Sequence, residues 1–358
     1  MTTTNNSAAH KLTDGDLLKL IRPNILALEP YSTARDEFDG QHSISAWLDA
    51  NESPYDNGLN RYPDPHQREL KKLIAENFGG RPEMVFIGGA GSDEAIDLCY
   101  RIFCRPGIDN AIAISPTYGV YGVAAQINDV EYRQVALNPG YTLSVEALLE
   151  AADENSRLMW ICSPNNPTAN SFSLDSIAEL AERFHGIVVV DEAYFDFSGQ
   201  PSAIELIEKY RNIIVLRTFS KARGLASLRV GMAFATPLVA RYFAMVKYPY
   251  NVNGPTQQEI ARRITDDVAT HVAEILNERK KLVAALNNLP LVKEVFPSDA
   301  NFILARFDDP DEIYDYLSGG GVLVRNRNRV AGCEGCLRIT VGTPAENTLL
   351  LKLLTEWK

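Results

Sequence analysis

Short apolar runs alternate with helical stretches from about residue 66 to about residue 250. Apolar residues recur at helical spacing within residues 67–78 and 93–103, which predicts two helices that each bury one face. The apolar runs between such stretches predict buried strands at residues 85–87, 111–114, 158–162, 187–190 and 213–216. This alternation is typical of an α/β fold in which a mostly parallel sheet is covered by helices.

The pattern changes after Pro255. Apolar residues at helical spacing from Ile260 to Leu286 predict one long helix. Beyond it we expect strands at 293–296, 301–306, 322–324 and 336–341, with helices at about 310–317 and at the C-terminus. We therefore divide the chain into a flexible polar arm (1–16), an N-terminal part of a small domain (17–45), a large domain (46–254) and the C-terminal part of the small domain (255–358).

Composition narrows the classes of function. The 358 residues carry a formal charge of −11, which disfavours an extended basic surface for nucleic acid or anionic lipid. Five cysteines in so long a chain fit a reducing compartment better than a disulfide framework. The start MTTTNNSAAHKL does not resemble a secretory leader, and no apolar run approaches the ~18 residues of a membrane span. We therefore expect a cytoplasmic protein that binds neither nucleic acid nor membranes.

Two ionisable residues follow predicted strands. Lys221 lies past the strand at 213–216, and such a lysine can form a Schiff base with an aldehyde cofactor. Taken alone, a lysine at a strand end is more often a solvated cap. Asp191 follows the strand at 187–190, where a carboxylate can keep a pyridinium nitrogen protonated. Without the lysine, a helix N-cap would be the more common role for this aspartate.

Amide and aromatic residues follow two other strands. Asn166 lies in SPNNPT, after the strand at 158–162, and its amide could hydrogen-bond a phenolic oxygen, with Tyr194 supplying a second bond. Tyr118 follows the strand at 111–114 and could stack on a cofactor ring or simply pack. Each of these residues alone fits an ordinary turn or packing role, so the argument depends on their convergence at one sheet edge.

The glycine-rich segment GGAGSDE joins the strand at 85–87 to the next helix. Its backbone N–H groups and the helix dipole favour a bound phosphate. A dinucleotide site is the alternative, but Glu94 stands where that fingerprint has its third glycine, and an anion there opposes a pyrophosphate. Arg229 could add a bidentate contact. We therefore expect a monophosphate to bind here.

The segments GAGSDE, PTY, NNPT, DEAY, TFSKA and LR occur in this order, each at a strand end. Together they resemble the pyridoxal-phosphate-dependent aminotransferases with the aspartate aminotransferase fold, over nearly the whole chain. The segments LDANESP at 48–54 and NRYPDP at 60–65, with Arg325 and Arg338, are similar to the histidinol-phosphate aminotransferase family. Ala169 and Ser227 stand where this family usually has glycine, which bears on fine specificity more than on the chemistry.

The resemblance implies fold type I, with a mostly parallel mixed sheet in the large domain and a smaller α/β domain. It implies pyridoxal phosphate as the cofactor and Lys221, Asp191 and Tyr194 as catalytic residues. Asp191 would face the ring nitrogen, and Asn166 and Tyr194 would face the ring hydroxyl. Tyr118 would stack on the ring. The residues implied for the cofactor phosphate are Ser92, Asp93 (through its backbone), Thr218, Ser220, Arg229 and, from the neighbouring subunit of a homodimer, Tyr62. The residues at substrate-binding positions are Tyr31, Asn166, Arg325 and Arg338.

The implied reaction transfers an amino group between L-histidinol phosphate or imidazole-acetol phosphate and glutamate or 2-oxoglutarate, in histidine biosynthesis. Arg325 and Arg338 can serve both substrates, because a guanidinium binds a carboxylate or a phosphate bidentately. The alternatives are an aromatic or branched-chain aminotransferase and a threonine-phosphate decarboxylase on the same scaffold. A regulatory module would need an added domain, for which residues 1–16 are too short. We expect no metal site, because the Cys333–Cys336 pair has neither a second pair nor clustered histidines beside it.

Overall fold

The computed structural model describes residues 12–33 and 43–357. Its helices are α1 (Asp14–Leu20), α2 (Pro23–Leu26), α3 (Arg68–Phe78), α4 (Ser92–Phe103), α5 (Val120–Ile127), α6 (Val145–Glu150), α7 (Leu174–Arg183), α8 (Pro237–Val246), α9 (Gly254–Arg263), α10 (Val268–Leu286), α11 (Pro310–Gly319) and α12 (Pro344–Glu356). Its strands are β1 (Val85–Gly91), β2 (Asn110–Ser115), β3 (Glu131–Ala136), β4 (Ser156–Cys162), β5 (Ile187–Asp191), β6 (Ile213–Thr218), β7 (Gly231–Phe234), β8 (Val292–Val295), β9 (Phe302–Phe307), β10 (Arg325–Asn326) and β11 (Cys336–Thr340).

Seven strands form the large sheet in the order β1-β7-β6-β5-β4-β2-β3. The neighbours from β3 to β6 pair in parallel, whereas β7 is antiparallel to both β1 and β6. The expected mixed, mostly parallel sheet is confirmed, and the five predicted strands all belong to it. The sequence pattern missed β3, an edge strand with exposed and half-buried residues, and β7, which has four residues.

Helices cover both faces of the large sheet. Along β4, Leu158 and Trp160 face a core shared with α1, α4, α5 and α8, whereas Met159 and Ile161 face a core shared with α3, α7 and α9. Successive strand residues point to opposite faces, so a strand buried on both faces has a continuous apolar run. This is why the central strands were predictable.

The small sheet has four antiparallel strands in the order β10-β11-β9-β8, packed against α10, α11 and α12. The strand predicted at residues 322–324 is wrong. The Val322 N–H donates to the Leu317 carbonyl at 2.8 Å, which uses this segment to end α11. The strand β10 is therefore limited to Arg325–Asn326.

The single long helix predicted after Pro255 is also wrong, because α9 ends at Arg263 and α10 begins at Val268. Asp267 caps the second helix: its Oδ1 accepts the Thr270 N–H at 3.2 Å, and its Oδ2 accepts the Thr270 hydroxyl at 2.6 Å. An aspartate cap satisfies N–H groups that a helix start leaves unpaired. Apolar periodicity alone does not register this break.

The N-terminal segment packs differently from the expectation. Leu17, Leu20 and Ile25 belong to the core of the large sheet, and the Arg22 N–H donates to the Ile102 carbonyl at 2.9 Å. The described part of segment 17–45 therefore packs with the large domain and not with the small sheet. Residues 1–11 of the predicted arm, and residues 34–42, lie outside the described residues, and Asp14 already begins α1. The other domain boundaries stay predictions.

All five cysteines are buried as free thiols. Within residues 12–33 and 43–357, no helix has the length and apolar character needed to cross a bilayer. The same residues contain no group of His, Cys, Asp and Glu side chains arranged to hold a metal ion.

Candidate active site

A cavity of about 160 Å³ lies at the carboxyl ends of β4, β5 and β6, beside the start of α4. The carboxyl ends of neighbouring parallel strands share one edge of a sheet, which is where ligands of such folds bind. Residues singled out separately in the sequence meet here: Ser92, Asp93, Tyr118, Asn166, Asp191, Tyr194, Thr218, Ser220, Lys221 and Arg229 all line the cavity.

Lys221 follows β6, where the Ser220 N–H donates to the Thr218 hydroxyl oxygen at 3.1 Å and turns the chain toward the cavity. The Lys221 Nζ lies 5.4 Å from the centroid of the Tyr194 ring. Loss of surrounding water lowers the pKa of Lys221; nearby Arg338 adds to this effect, and Asp191 opposes it. A lowered pKa increases the fraction of neutral, nucleophilic amine near neutral pH.

Asp191 ends β5 and is 2% exposed. The Tyr121 hydroxyl donates to its Oδ2 at 2.6 Å, and the Ala193 N–H donates to its Oδ1 at 3.1 Å. Burial nevertheless raises the pKa of Asp191 to about 6. A cation placed against the carboxylate would lower this pKa again and be held in return. The cavity therefore favours a positively charged group at this depth.

Asn166 and Tyr194 connect the cavity to the small domain. The guanidinium of Arg338, on β11, donates to Asn166 Oδ1 at 2.5 Å. It also lies 5.2 Å from the centroid of the Phe302 ring, against which the Tyr194 ring packs edge-on at 5.0 Å. Burial raises the pKa of Tyr194, so its hydroxyl stays protonated and can donate a hydrogen bond. The small sheet thus brings Arg338 into contact with Asn166, a residue of the cavity wall.

The start of α4 forms a corner suited to a phosphate. The Gly91 N–H donates to the Arg229 carbonyl at 2.7 Å, and Arg229 Nη2 donates to the Ala90 carbonyl at 3.2 Å. Gly91 has a φ of +75°, and a Cβ at this position would lie 3.0 Å from Arg229 Nη2. Glycine therefore leaves room for the guanidinium beside the free N–H groups of Ser92 and the next residues, a combination that binds phosphate.

Glu94 turns away from this corner. Its Oε2 accepts the Gly89 N–H at 2.5 Å, and the Asn251 amide donates to its Oε1 at 3.1 Å. The carboxylate therefore braces the glycine-rich loop. The negative charge of Glu94, which disfavours a bound dinucleotide, is thus held by hydrogen bonds from Gly89 and Asn251.

Tyr118 and Asp93 form one side of the cavity. The Tyr118 hydroxyl donates to Asp93 Oδ1 at 3.2 Å, and Asp93 Oδ2 lies 3.6 Å from Arg229 Nη2. The Tyr118 ring meets the Tyr121 ring edge-on at 5.6 Å. These contacts fix the Tyr118 ring where it lines the cavity.

Four predicted site residues are not among those that line this cavity: Arg338, which contacts the lining residue Asn166, and Tyr31, Arg325 and Tyr62. Tyr31 is 73% exposed and Arg325 is exposed, and neither lines it. Arg325 pairs in register with Arg338 across β10 and β11, so the two side chains share one face of the small sheet. Tyr62 stacks on Tyr250 with ring centroids 4.4 Å apart and lines a separate groove.

Tyr121, the hydrogen-bond donor to Asp191, is not among the site residues predicted from the sequence. Tyr121 lies in α5, fully buried, with its ring stacked 4.7 Å from that of Trp160. A buried tyrosine hydroxyl needs a partner. The spacing of Tyr118 and Tyr121, three residues apart after a strand end, is the signal that could have found it.

Comparison with known proteins identifies the family of this chain. Residues 35–354 match the sequence family Aminotransferase class I and II. The histidinol-phosphate aminotransferase of Bacteroides fragilis is 48% identical over 344 residues, which cover 96% of this chain and 99% of that protein. The histidinol-phosphate aminotransferase of Parabacteroides distasonis is 48% identical over 345 residues, with the same coverage of 96% and 99%. The chain belongs to the histidinol-phosphate aminotransferase family.

Solved structures confirm the fold of this histidinol-phosphate aminotransferase family member. The Sinorhizobium meliloti histidinol-phosphate aminotransferase, in complex with pyridoxal-5'-phosphate, matches with a TM-score of 0.75 and 25% identity over 83% of this chain and 82% of that chain. An L-threonine-O-3-phosphate decarboxylase from Porphyromonas gingivalis matches with a TM-score of 0.68 and 23% identity over 83% and 90% of the two chains. The fold therefore occurs in a protein described as a decarboxylase as well, so the fold alone does not distinguish the two classes.

Proposed function

We propose that this protein transfers an amino group between L-histidinol phosphate and 2-oxoglutarate, yielding imidazole-acetol phosphate and glutamate, as a step of histidine biosynthesis. It would use pyridoxal phosphate held in the cavity. The observation that carries this proposal is the meeting of an amine, a buried carboxylate and a phosphate-binding helix start in one cavity of a chain that is 48% identical to a histidinol-phosphate aminotransferase.

The donor set of the cavity fits both ends of pyridoxal phosphate. The start of α4, with Thr218, Ser220 and Arg229, would hold the phosphate, and the space left by Gly91 supports this assignment. Asp191 would hold the protonated ring nitrogen, as its buried carboxylate favours a cation. The Tyr118 ring would lie beside the cofactor ring, and Asn166 and Tyr194 would face its hydroxyl.

When bound, the cofactor supplies an aldehyde carbon and a ring that withdraws electrons. Lys221 would hold the cofactor through its Nζ until the amino group of the substrate takes its place. The Nζ released in this way would be a free amine that can remove a proton from the substrate carbon that carries the amino group and return one later. The lowered pKa of Lys221 suits this role, because the amine must be neutral to accept a proton. Arg338 and Arg325 would bind the anionic end of either substrate.

The active enzyme would be a homodimer in which Tyr62 reaches the cofactor phosphate of the other subunit. In its own chain Tyr62 is 49% exposed and lines a groove of about 870 Å³, apart from the Lys221 cavity. Its backbone N–H donates to Glu52 Oε1 at 2.6 Å, and Glu52 also pairs with Arg61 at 2.7 Å. These contacts hold Tyr62 on a presented loop, which suits a residue that serves a neighbouring subunit.

A substrate panel tests the proposed function. The protein supplied with pyridoxal phosphate and 2-oxoglutarate is incubated separately with L-histidinol phosphate, L-phenylalanine and O-phospho-L-threonine, and both glutamate and carbon dioxide are measured. We expect glutamate, with the highest kcat/KM for L-histidinol phosphate. Carbon dioxide from O-phospho-L-threonine would show a decarboxylase, and a preference for L-phenylalanine would show an aromatic aminotransferase.

A further inference from the structure

A third arginine, Arg327, lies beside Arg325 and Arg338 at the edge of the small sheet. Arg325 stands opposite Arg338, and the Arg327 N–H donates to the Cys336 carbonyl at 2.9 Å, which continues the pairing of β10 with β11 by one step. Side chains two residues apart along a paired segment point to the same face. Arg327 is thus diagonal to Arg338 on the face that carries all three arginines.

The guanidinium of Arg327 has no counter-charge in the part of the chain that the structure describes. Its Nε is buried and without a hydrogen-bond partner, and no carboxylate is among the groups with the largest electrostatic effect on it. Loss of water and the charges of Arg338 and Arg325 lower the pKa of Arg327 to about 10, so it remains a cation at neutral pH. An unpaired, partly buried cation destabilises a fold, and an anionic ligand would remove that cost.

Tyr194 connects Arg327 to the reaction cavity. Tyr194 lines the cavity. The positive charges of Arg327 and Arg338 both act to lower the pKa of its hydroxyl. The Val330 N–H donates to the Arg327 carbonyl at 2.8 Å, so the backbone of this arginine is held on both sides. Arg327 is therefore a fixed positive charge on the small-domain side of the cavity, next to Arg338.

We propose that Arg327 binds the phosphate group of the phosphate-bearing amino substrate and thereby favours that substrate over glutamate. This inference rests on the proposed amino transfer. A phosphate monoester carries a charge of about −1.5 to −2 at neutral pH and offers three acceptor oxygens, whereas a carboxylate carries one charge and two oxygens. Arg338 and Arg325 already suffice to pair with a carboxylate, so the added cation of Arg327 matters for the phosphate.

The test compares Arg327→Gln with a matched control, Arg329→Gln. Arg329 is exposed and lies two residues further along the same segment. For each enzyme, loaded with pyridoxal phosphate, kcat/KM is measured with L-histidinol phosphate, with unphosphorylated L-histidinol and with L-glutamate. The Kd of inorganic phosphate for the loaded enzyme is measured by calorimetry, and thermal unfolding is recorded.

We expect Arg327→Gln to lower kcat/KM for L-histidinol phosphate by roughly 10- to 100-fold, through KM, because a charge-assisted hydrogen bond is lost. The values for L-histidinol and L-glutamate should change less than about threefold, and the Kd of inorganic phosphate should rise. Arg327→Lys should fall in between, because it keeps the charge and loses the planar fork. Arg329→Gln should match the wild type in each assay.

Equal losses for all three substrates, or no loss for L-histidinol phosphate, would overturn the role of Arg327. If Arg327→Gln does not fold, Arg327→Lys decides the question by the ratio of kcat/KM for L-histidinol phosphate to that for L-histidinol, which should fall. A wild-type enzyme that does not prefer L-histidinol phosphate over L-phenylalanine would contradict the proposed function itself. A wild-type enzyme that prefers L-histidinol phosphate, together with an Arg327→Gln variant that keeps this preference, would contradict only the role of Arg327.

Discussion

Burial of the Asp191 carboxylate destabilises the fold, although in the proposed reaction the same carboxylate holds the cofactor. Its carboxylate is fully surrounded, and the hydrogen bonds from Tyr121 and Ala193 do not offset the loss of water, so its pKa stands at about 6. In the unfolded chain the same group has a pKa near 3.8. The folded, cofactor-free protein therefore holds this proton more tightly than the unfolded chain does.

That difference gives a prediction for Asp191→Asn. The destabilisation from Asp191 grows as the pH rises from about 4 to about 6 and is complete above pH 6, where it amounts to at most about 3 kcal/mol. Without cofactor, the variant should gain stability relative to wild type at pH 7.5 and gain little at pH 4.5, while its turnover with cofactor falls steeply. Thermal unfolding at the two pH values measures the difference. Equal stability differences at both values would show that Asp191 does not titrate as described.

Lys221 gives a second prediction at the residue scale. Lys221→Ala should abolish turnover and leave thermal unfolding nearly unchanged, because Lys221 is an exposed residue that lines the cavity and lies outside the hydrophobic core. Borohydride treatment of the wild type, followed by peptide mapping, should find the cofactor on Lys221. Lys209→Ala, at an exposed surface lysine, is the control and should behave as wild type. Cofactor found on another lysine would refute the assignment.

Strand β7 and the start of α4, beside the proposed phosphate site, are in close backbone contact. A Cβ on Gly231, at the start of β7, would lie 2.1 Å from the backbone nitrogen of Ser92 and 2.4 Å from the Gly91 carbonyl carbon. Such contacts exclude any side chain, so β7 and the start of α4 can lie together only with glycine at residue 231. The position of the helix start, and hence of its free N–H groups, depends on this approach.

Gly231→Ala should therefore move α4 away from β7. We expect a loss of about 1–3 kcal/mol in the free energy of unfolding and a weaker Kd for pyridoxal phosphate. Gly319→Ala is the matched control, because a Cβ at Gly319 meets no atom within 4 Å. Thermal unfolding and a spectroscopic titration with pyridoxal phosphate measure both effects. Unchanged affinity of Gly231→Ala for pyridoxal phosphate would show that the contact between β7 and α4 is not needed for phosphate binding.

Among the elements, the sequence predicted the strands that are buried on both faces and the site residues that lie at the ends of parallel strands. The strand that ends at Asp191 and the strand that precedes Lys221 have continuous apolar runs, and their shared edge follows from parallel pairing. The break at Asp267 and the short strand β7 depend on a cap and on pairing partners that apolar periodicity does not encode. Tyr121 could not be assigned because its contact with Asp191 comes from the packing of a helix on the sheet.

The whole molecule, in the proposed dimer, would complete each cofactor site across the subunit interface. Mixing a Tyr62→Phe subunit with a Lys221→Ala subunit tests this arrangement. In the mixed dimer, one site has Lys221 together with an intact Tyr62 from the other subunit, and the second site has both lesions. Activity should rise above that of either parent homodimer. No rise, with subunit exchange demonstrated and a measurable Tyr62→Phe defect, would place Tyr62 outside the partner's site.

The cytoplasmic location stays a prediction from the sequence.

The most direct measurement of the central claim follows the amino group itself. The enzyme with pyridoxal phosphate is given ¹⁵N-labelled L-glutamate and imidazole-acetol phosphate, and the products are analysed by mass spectrometry. The proposed amino transfer predicts ¹⁵N in L-histidinol phosphate together with an equal amount of 2-oxoglutarate, and neither product with Lys221→Ala. Unlabelled or absent L-histidinol phosphate from an enzyme that consumes glutamate would contradict it.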